Sequence, residues 1–105
     1  MADEKLVIST AGSKEEAARI AQALVSERLA ACVNIIGPIE SVYRWHAKVE
    51  SATEFLILVK TGSAKSTAVM SRIRELHSYE LPEAIEIAID AGSPEYLQWI
   101  VHSVS

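Results

Sequence analysis

Apolar residues recur along this chain with different rhythms, and the changes of rhythm divide it into elements. Lys5 to Ala11 (KLVISTA) is a short apolar run closed by Gly12, which predicts a buried strand. Ser13 and Glu16 follow at the capping-box spacing, in which each side chain satisfies a free amide of a helix's first turn. Ala17, Ile20, Ala21, Leu24 and Arg28 then recur at helical spacing, with Glu15, Glu16, Arg19 and Glu27 mostly off that stripe, so an amphipathic helix is predicted. From Ala31 to Trp45 the pattern turns β-like, through Cys32, Val33, Ile35, Ile36, Ile39, Val42, Tyr43 and Trp45. Pro38 cannot donate to a ladder, so a bend, a bulge or an edge is expected beside it. His46–Ala47 is the predicted turn of a long hairpin that returns through Lys48–Glu50 to the apolar run Phe55–Val59.

Helical spacing resumes from Ser63 to His77, where Val69, Met70, Ile73 and Leu76 are apolar and Lys65, Arg72, Arg74 and Glu75 are left for water. Pro82 and the polar residues before it end that helix. Ala84 to Asp90 alternates strictly, with Ile85, Ile87 and Ile89 on one face, and predicts a strand. Ser93 as N-cap and Pro94 at the first helical position open a last helix, whose stripe is Leu97, Ile100, Val101 and Val104.

The predicted order is β-α-β-β-α-β plus a C-terminal helix, an α+β fold with the ferredoxin-like split βαβ arrangement. Right-handed crossovers place the first two helices on one face of an antiparallel sheet. The other face is then bare. Segments such as FLILV, apolar at every position, need cover on both sides, from the last helix or from neighbouring subunits.

Composition sharpens this picture in two respects. The 105 residues suit one domain, 1–105, and half of them are hydrophobic. A domain this small buries only about 60 to 68% of its unfolded surface, so such an apolar content points to self-association. Ten Lys and Arg against fourteen Asp and Glu, with no basic stripe, disfavour nucleic acid as a partner. Cys32 is the one cysteine, which suits a reducing compartment. The start carries no basic, apolar leader, and no apolar run approaches the ~20 residues of a membrane span, so a cytoplasmic protein without membrane contact is expected.

Four segments, Arg28 to Ile35 (RLAACVNI), Ser41 to Trp45 (SVYRW), Lys60–Thr61 and Leu76 to Glu83 (LHSYELPE), together with Tyr96 to Ile100, resemble the CutA family of divalent-cation tolerance proteins from about Ser9 to Ile100. The resemblance implies a ferredoxin-like subunit, a tight homotrimer joined through the long hairpin, involvement in copper and other divalent-metal tolerance, and an architecture like that of the PII-type signalling trimers. It attaches no catalytic activity. No phosphate-binding glycine loop, HExxH or GxSxG is present either, so an enzyme is not expected.

Cys32, His77 and Glu80 are the candidate metal residues. A thiolate is a soft ligand suited to copper, and a neutral imidazole with a carboxylate three positions on can complete such a site. Read singly, each has a plainer role: Cys32 as a small apolar strand residue, His77 as a cation at a helix C-terminus, Glu80 as a solvated loop residue. The resemblance places the matching cysteine beside an inter-subunit cleft, with the His-x-Tyr-Glu pattern near it. It also implies Tyr43, Trp45, Lys60 and Tyr79 as cleft residues, although Tyr43 and Trp45 share a sheet face and can equally pack in an interface, and a strand-end lysine ordinarily reaches water. Three functions follow: a copper-binding tolerance trimer, a PII-like module in which a small ligand changes contacts with an unknown partner protein, or a purely structural trimer. At Ala47 the family commonly has glycine, and a two-residue hairpin turn needs positive φ, which alanine accepts poorly.

Overall fold

Seven elements make up the computed structural model, which describes residues 3–105: β1 (Glu4–Ala11), α1 (Lys14–Ser26), β2 (Cys32–Trp45), β3 (Lys48–Gly62), α2 (Ser66–Leu76), β4 (Ile85–Ala88) and α3 (Pro94–Ser103). The sheet runs β2-β3-β1-β4 with every neighbouring pair antiparallel, the ferredoxin-like order.

Directly paired residues of an antiparallel ladder share a face. Val33, Val59 and Val7 therefore lie on one side with Ile35, Ile57 and Ser9, and Cys32, Lys60, Leu6 and Ile87 on the other. The first face carries the core, in which Val7, Ile57 and Val59 meet Ile20 and Leu24 of α1 and Val69 and Ile73 of α2, all fully buried. Burying each such side chain contributes about 1.5 to 3 kcal/mol.

Helix α1 starts as expected but keeps only half of its capping box. Ser13 Oγ accepts the Glu16 amide at 3.1 Å, while the Glu16 carboxylate accepts the Ser78 amide at 2.8 Å instead of turning back. The helix also ends before Arg28, which leaves the apolar stripe and takes φ 59°. Leu29 N–H bonds Leu24 O at 2.9 Å and Arg28 N–H bonds Val25 O at 3.1 Å, a Schellman stop.

Strands β2 and β3 outrun their neighbour. Pairing of β1 with β3 ends at Ala11↔Phe55, and a register shift follows between Ile36 and Ile39, at the Gly37–Pro38 step where the sequence predicts an irregularity. A Cβ on Gly37 would lie 2.6 Å from Phe55 Cδ2, so only glycine passes there. Beyond this point Ile39–Trp45 and Lys48–Glu54 continue as a two-stranded arm. His46 and Ala47, at φ 50° and 66°, form its tip, the signature of a type I′ turn. Left-handed alanine costs about 1 to 2 kcal/mol, part of which glycine returns as chain entropy. Ala47→Gly is therefore expected to stabilise the fold by about 0.5 to 1 kcal/mol, read as a rise of several degrees in the thermal midpoint; an unchanged or lower midpoint would contradict a strained tip.

The second sheet face is covered only at one end. A Cβ on Gly62 would lie 3.5 Å from Val104 Cγ2, and Lys60 Nζ donates to Tyr96 Oη at 3.3 Å, so α3 lies on this face beside the start of β1. Its Ile100 and Val104 are buried there, while Trp99 is half exposed. Elsewhere the face is open, with Ile36, Ile85 and Ile87 exposed by 47%, 53% and 43%. The alternating segment forms a shorter strand than expected, four residues, and its isoleucines turn away from the helix-covered core. Glu86 takes the core side opposite Val7, with Lys5 Nζ 4.0 Å from its carboxylate.

Candidate ligand cleft

The segment after α2 ties three elements together. Helix α2 stops at Leu76, and His77 is extended, with ψ 143°. Its imidazole is completely enclosed. The Tyr79 amide donates to Nδ1 at 3.1 Å, which leaves Nε2 to carry the hydrogen donated to Thr10 O at 2.7 Å. Arg19 Nη2 donates to Leu76 O at 3.1 Å, and Glu16 holds the Ser78 amide. Burial acts to raise the Glu16 pKa, but the hydrogen bonds from Ser78, with the Arg19 charge beside them, outweigh it and leave the carboxyl below its usual range. A lowered carboxyl pKa contributes stability that is present above the unfolded value near 4.5 and lost as pH falls.

Tyr79 then reaches across the end of β1 to the arm. Its hydroxyl passes Gly12, where a Cβ would lie only 3.1 Å away, and donates to Glu54 Oε2 at 2.7 Å. Burial first, and then the Glu54 carboxylate, push the phenol pKa well above 10.0. The folded state thus holds this proton more tightly than the unfolded chain, so the stabilisation is full below pH 10.0 and lost as pH rises past it. In urea titrations at several pH values, wild type should lose stability above that pH more steeply than Tyr79→Phe; equal slopes would contradict the assignment.

Between the arm and this segment lies a cleft of about 560 Å³. Tyr43, Trp45, Glu50 and Glu54 line it from the arm, and Tyr79, Glu80 and Glu83 from the loop. The hairpin register explains the arm's contribution: Tyr43 pairs directly with Glu50, Trp45 is two residues along, and Glu54 four, all on one face. No lysine or arginine lines the cleft, and among the described residues none of its four glutamates forms an ion pair.

Of the residues singled out in the sequence, Tyr43, Trp45, Tyr79 and Glu80 meet at this cleft. Lys60 and Cys32 do not. They pair with each other, and Lys60 with Leu6, four residues up β1 from Thr10 and so about 13 Å away along the strand. Lys60 lies over the Tyr96 ring at 5.5 Å, and the Cys32 thiol approaches Asn34 Oδ1 at 3.8 Å. Cys32, His77 and Glu80 are not gathered within the chain: among the described residues, no three His, Cys, Asp or Glu side chains are placed to hold a metal ion. The His77 ring has both nitrogens engaged, with no lone pair to offer, so Cys32, His77 and Glu80 of one chain do not form a copper site together. The physical reason is local. The i, i+3 spacing presumes a helix end, yet the chain is extended at His77, which turns inward while Glu80 faces the cleft. Sequence reasoning missed Glu50, Glu54 and Glu83. The first was within reach, since a turn at His46–Ala47 already sets Tyr43 opposite Glu50.

These features define a ferredoxin-like α+β protein with a projecting β-arm, an uncovered apolar sheet face and an acidic, aromatic cleft at the base of the arm. The profile of the CutA1 divalent ion tolerance protein family matches residues 5–103, and the chain belongs to that family. It is 44% identical over 97 residues to the divalent-cation tolerance protein CutA of Thermus thermophilus, covering 92% of this chain and 94% of that protein. The crystal structure of CutA from Xylella fastidiosa superimposes with a TM-score of 0.97 at 40% identity, over 99% of this chain and all of that one. CutA of Archaeoglobus fulgidus, described as a periplasmic divalent cation tolerance protein, gives a TM-score of 0.93 at 44% identity over 97% and 99% of the two chains. The chain spans little more than half the length of its frog, rice and mouse relatives. No helix among the described residues is long and apolar enough to cross a membrane.

Proposed function

We propose that the protein serves divalent-cation tolerance as a cytoplasmic homotrimer that reads a small ligand in the acidic cleft, in the manner of a PII-like module, and acts through an unknown partner protein, without enzymatic activity, nucleic acid or membrane contact. One observation carries this reading above a copper store. The cleft gathers four carboxylates and three aromatic rings on one arm and one loop. The open isoleucines of β4 and β2 support the trimer, because a monomer would leave them in water. The single thiol of Cys32 suits the reducing cytoplasm.

Two measurements on the full chain test the proposal. Light scattering should give three times 11.5 kDa at micromolar dilution, and Ile85→Glu with Ile87→Glu should lower that mass. Titration of reduced protein with copper(I) and zinc against a competing chelator should show no stoichiometric binding that depends on Cys32. Tight copper binding lost in Cys32→Ala with the fold intact would restore the copper reading, and a clean monomer would overturn the trimer.

A further inference from the structure

We propose that Tyr79 is a latch: its hydroxyl holds the arm at a fixed angle to the body of the sheet and so sets the width of the cleft. At the body end the latch is rigid. The Tyr79 amide donates to His77 Nδ1 at 3.1 Å, and the two rings pack with their centroids 4.5 Å apart. His77 is itself fixed, fully enclosed and donating to Thr10 O of β1 at 2.7 Å. The phenol then runs past the bare backbone of Gly12, where a Cβ would lie 3.1 Å from its oxygen. The tyrosine thus stands as a strut on the end of β1.

At the arm end the strut meets Glu54 Oε2 at 2.7 Å, one residue beyond the last β1 pair, Ala11↔Phe55. Past that pair the arm is a two-stranded ribbon, Ile39–Trp45 with Lys48–Glu54, and such ribbons twist more than a full sheet and hold their shape less firmly. The register shift between Ile36 and Ile39 interrupts the ladder at the same level and supplies the pivot. The bond is of the strong kind, a hydroxyl on a carboxylate that is only 8% exposed. Tyr79 lines the cleft from the loop and Glu54 from the arm, so this bond joins the two walls. Its release lets the arm swing about the pivot and parts the walls, while the sheet beneath keeps its pairing. The device needs neither a bound ligand nor a neighbouring subunit.

Hydrogen–deuterium exchange of the full chain, read on peptides from the arm (39–54) and from β1, tests the proposal. Tyr79→Phe should speed exchange in the arm about tenfold or more and leave β1 as in wild type, because a hydrogen bond to a charged group is lost at the arm alone. Glu54→Leu should do the same. Glu54→Gln, which keeps an acceptor for the hydroxyl, should fall between Glu54→Leu and wild type. Tyr79→Phe combined with Glu54→Leu should be no faster than the faster single variant, since both remove one bond. In a Trp99→Phe background, which leaves Trp45 as the one tryptophan, acrylamide should quench its fluorescence more strongly once Tyr79→Phe is added. Unchanged arm exchange in Tyr79→Phe would mean that other contacts hold the arm, a neighbouring subunit's included, and would overturn the latch. So would an equal rise in β1, or an equal rise in the arm of Ile73→Val, a core change in α2, because either would report lost global stability only. Unchanged quenching would overturn the link to cleft width. Light scattering of the same samples keeps the latch apart from the trimer: a monomeric wild type whose arm is released by Tyr79→Phe would uphold the first and overturn the second.

Discussion

His77→Ala should destabilise the protein by about 3 kcal/mol or more, read as a lower urea midpoint at fixed protein concentration. The ring is fully enclosed and satisfies two backbone groups at once, the Tyr79 amide through Nδ1 and the Thr10 carbonyl through Nε2. Each buried group left unpaired costs about 1 to 3 kcal/mol, and the emptied ring volume adds a cavity term. A histidine kept to ligate metal would behave oppositely, because removing it from metal-free protein would cost little. A loss below about 1 kcal/mol would therefore overturn the structural role assigned to it here. The same change should loosen Tyr79 and with it the loop wall of the cleft, since the Tyr79 amide is anchored on this ring.

Ile57→Ala is the second large effect, with an expected cost of about 3 to 5 kcal/mol. Ile57 sits on central strand β3, paired to Ser9 on one side and Ile35 on the other, and is wholly buried in the core shared with α1 and α2. Both flanking strands and both helices hold their positions through other contacts, so the site collapses poorly and most of the cavity persists. Ile87→Ala supplies the contrast. Its side chain is 43% exposed, so in an isolated chain the change should cost less than about 1 kcal/mol. If neighbouring subunits cover that face, the Ile87 cost should instead be larger and should diminish the dependence of stability on protein concentration. A small cost for Ile57→Ala would contradict the core as described.

Much of this architecture was legible in the spacing of apolar residues. Periods near two and near 3.6 separate strands from helices, and their order leaves few topologies once crossovers are right-handed. The irregularity at Gly37–Pro38 and the two-residue tip at His46–Ala47 were legible for the same local reason, because proline lacks a donor and short turns demand positive φ. Glu16 and Arg28 were misread where a local rule met a tertiary competitor. Glu16 has the spacing of a capping residue, but the Ser78 amide brought against it from sixty-two residues away is the partner it takes. Arg28 continues the helical stripe in the sequence, yet the chain must turn there to enter β2, and a left-handed stop makes that turn.

The candidate site divides in the same way. Family resemblance named Tyr43, Trp45 and Tyr79 as cleft residues and Glu80 as a metal ligand, and hairpin register could have added Glu50. The separation of Cys32 from His77 was not, because it depends on how far along β1 each neighbouring segment docks. By itself the sequence determined the elements, their order, the surplus of apolar surface and the absence of a basic field, since these follow from residue type and near-neighbour spacing. Only the tertiary structure decided that His77 is a buried anchor, that Lys60 meets Tyr96 and that four glutamates line one cleft of the chain, because a side chain's role depends on long-range contacts that no local pattern records.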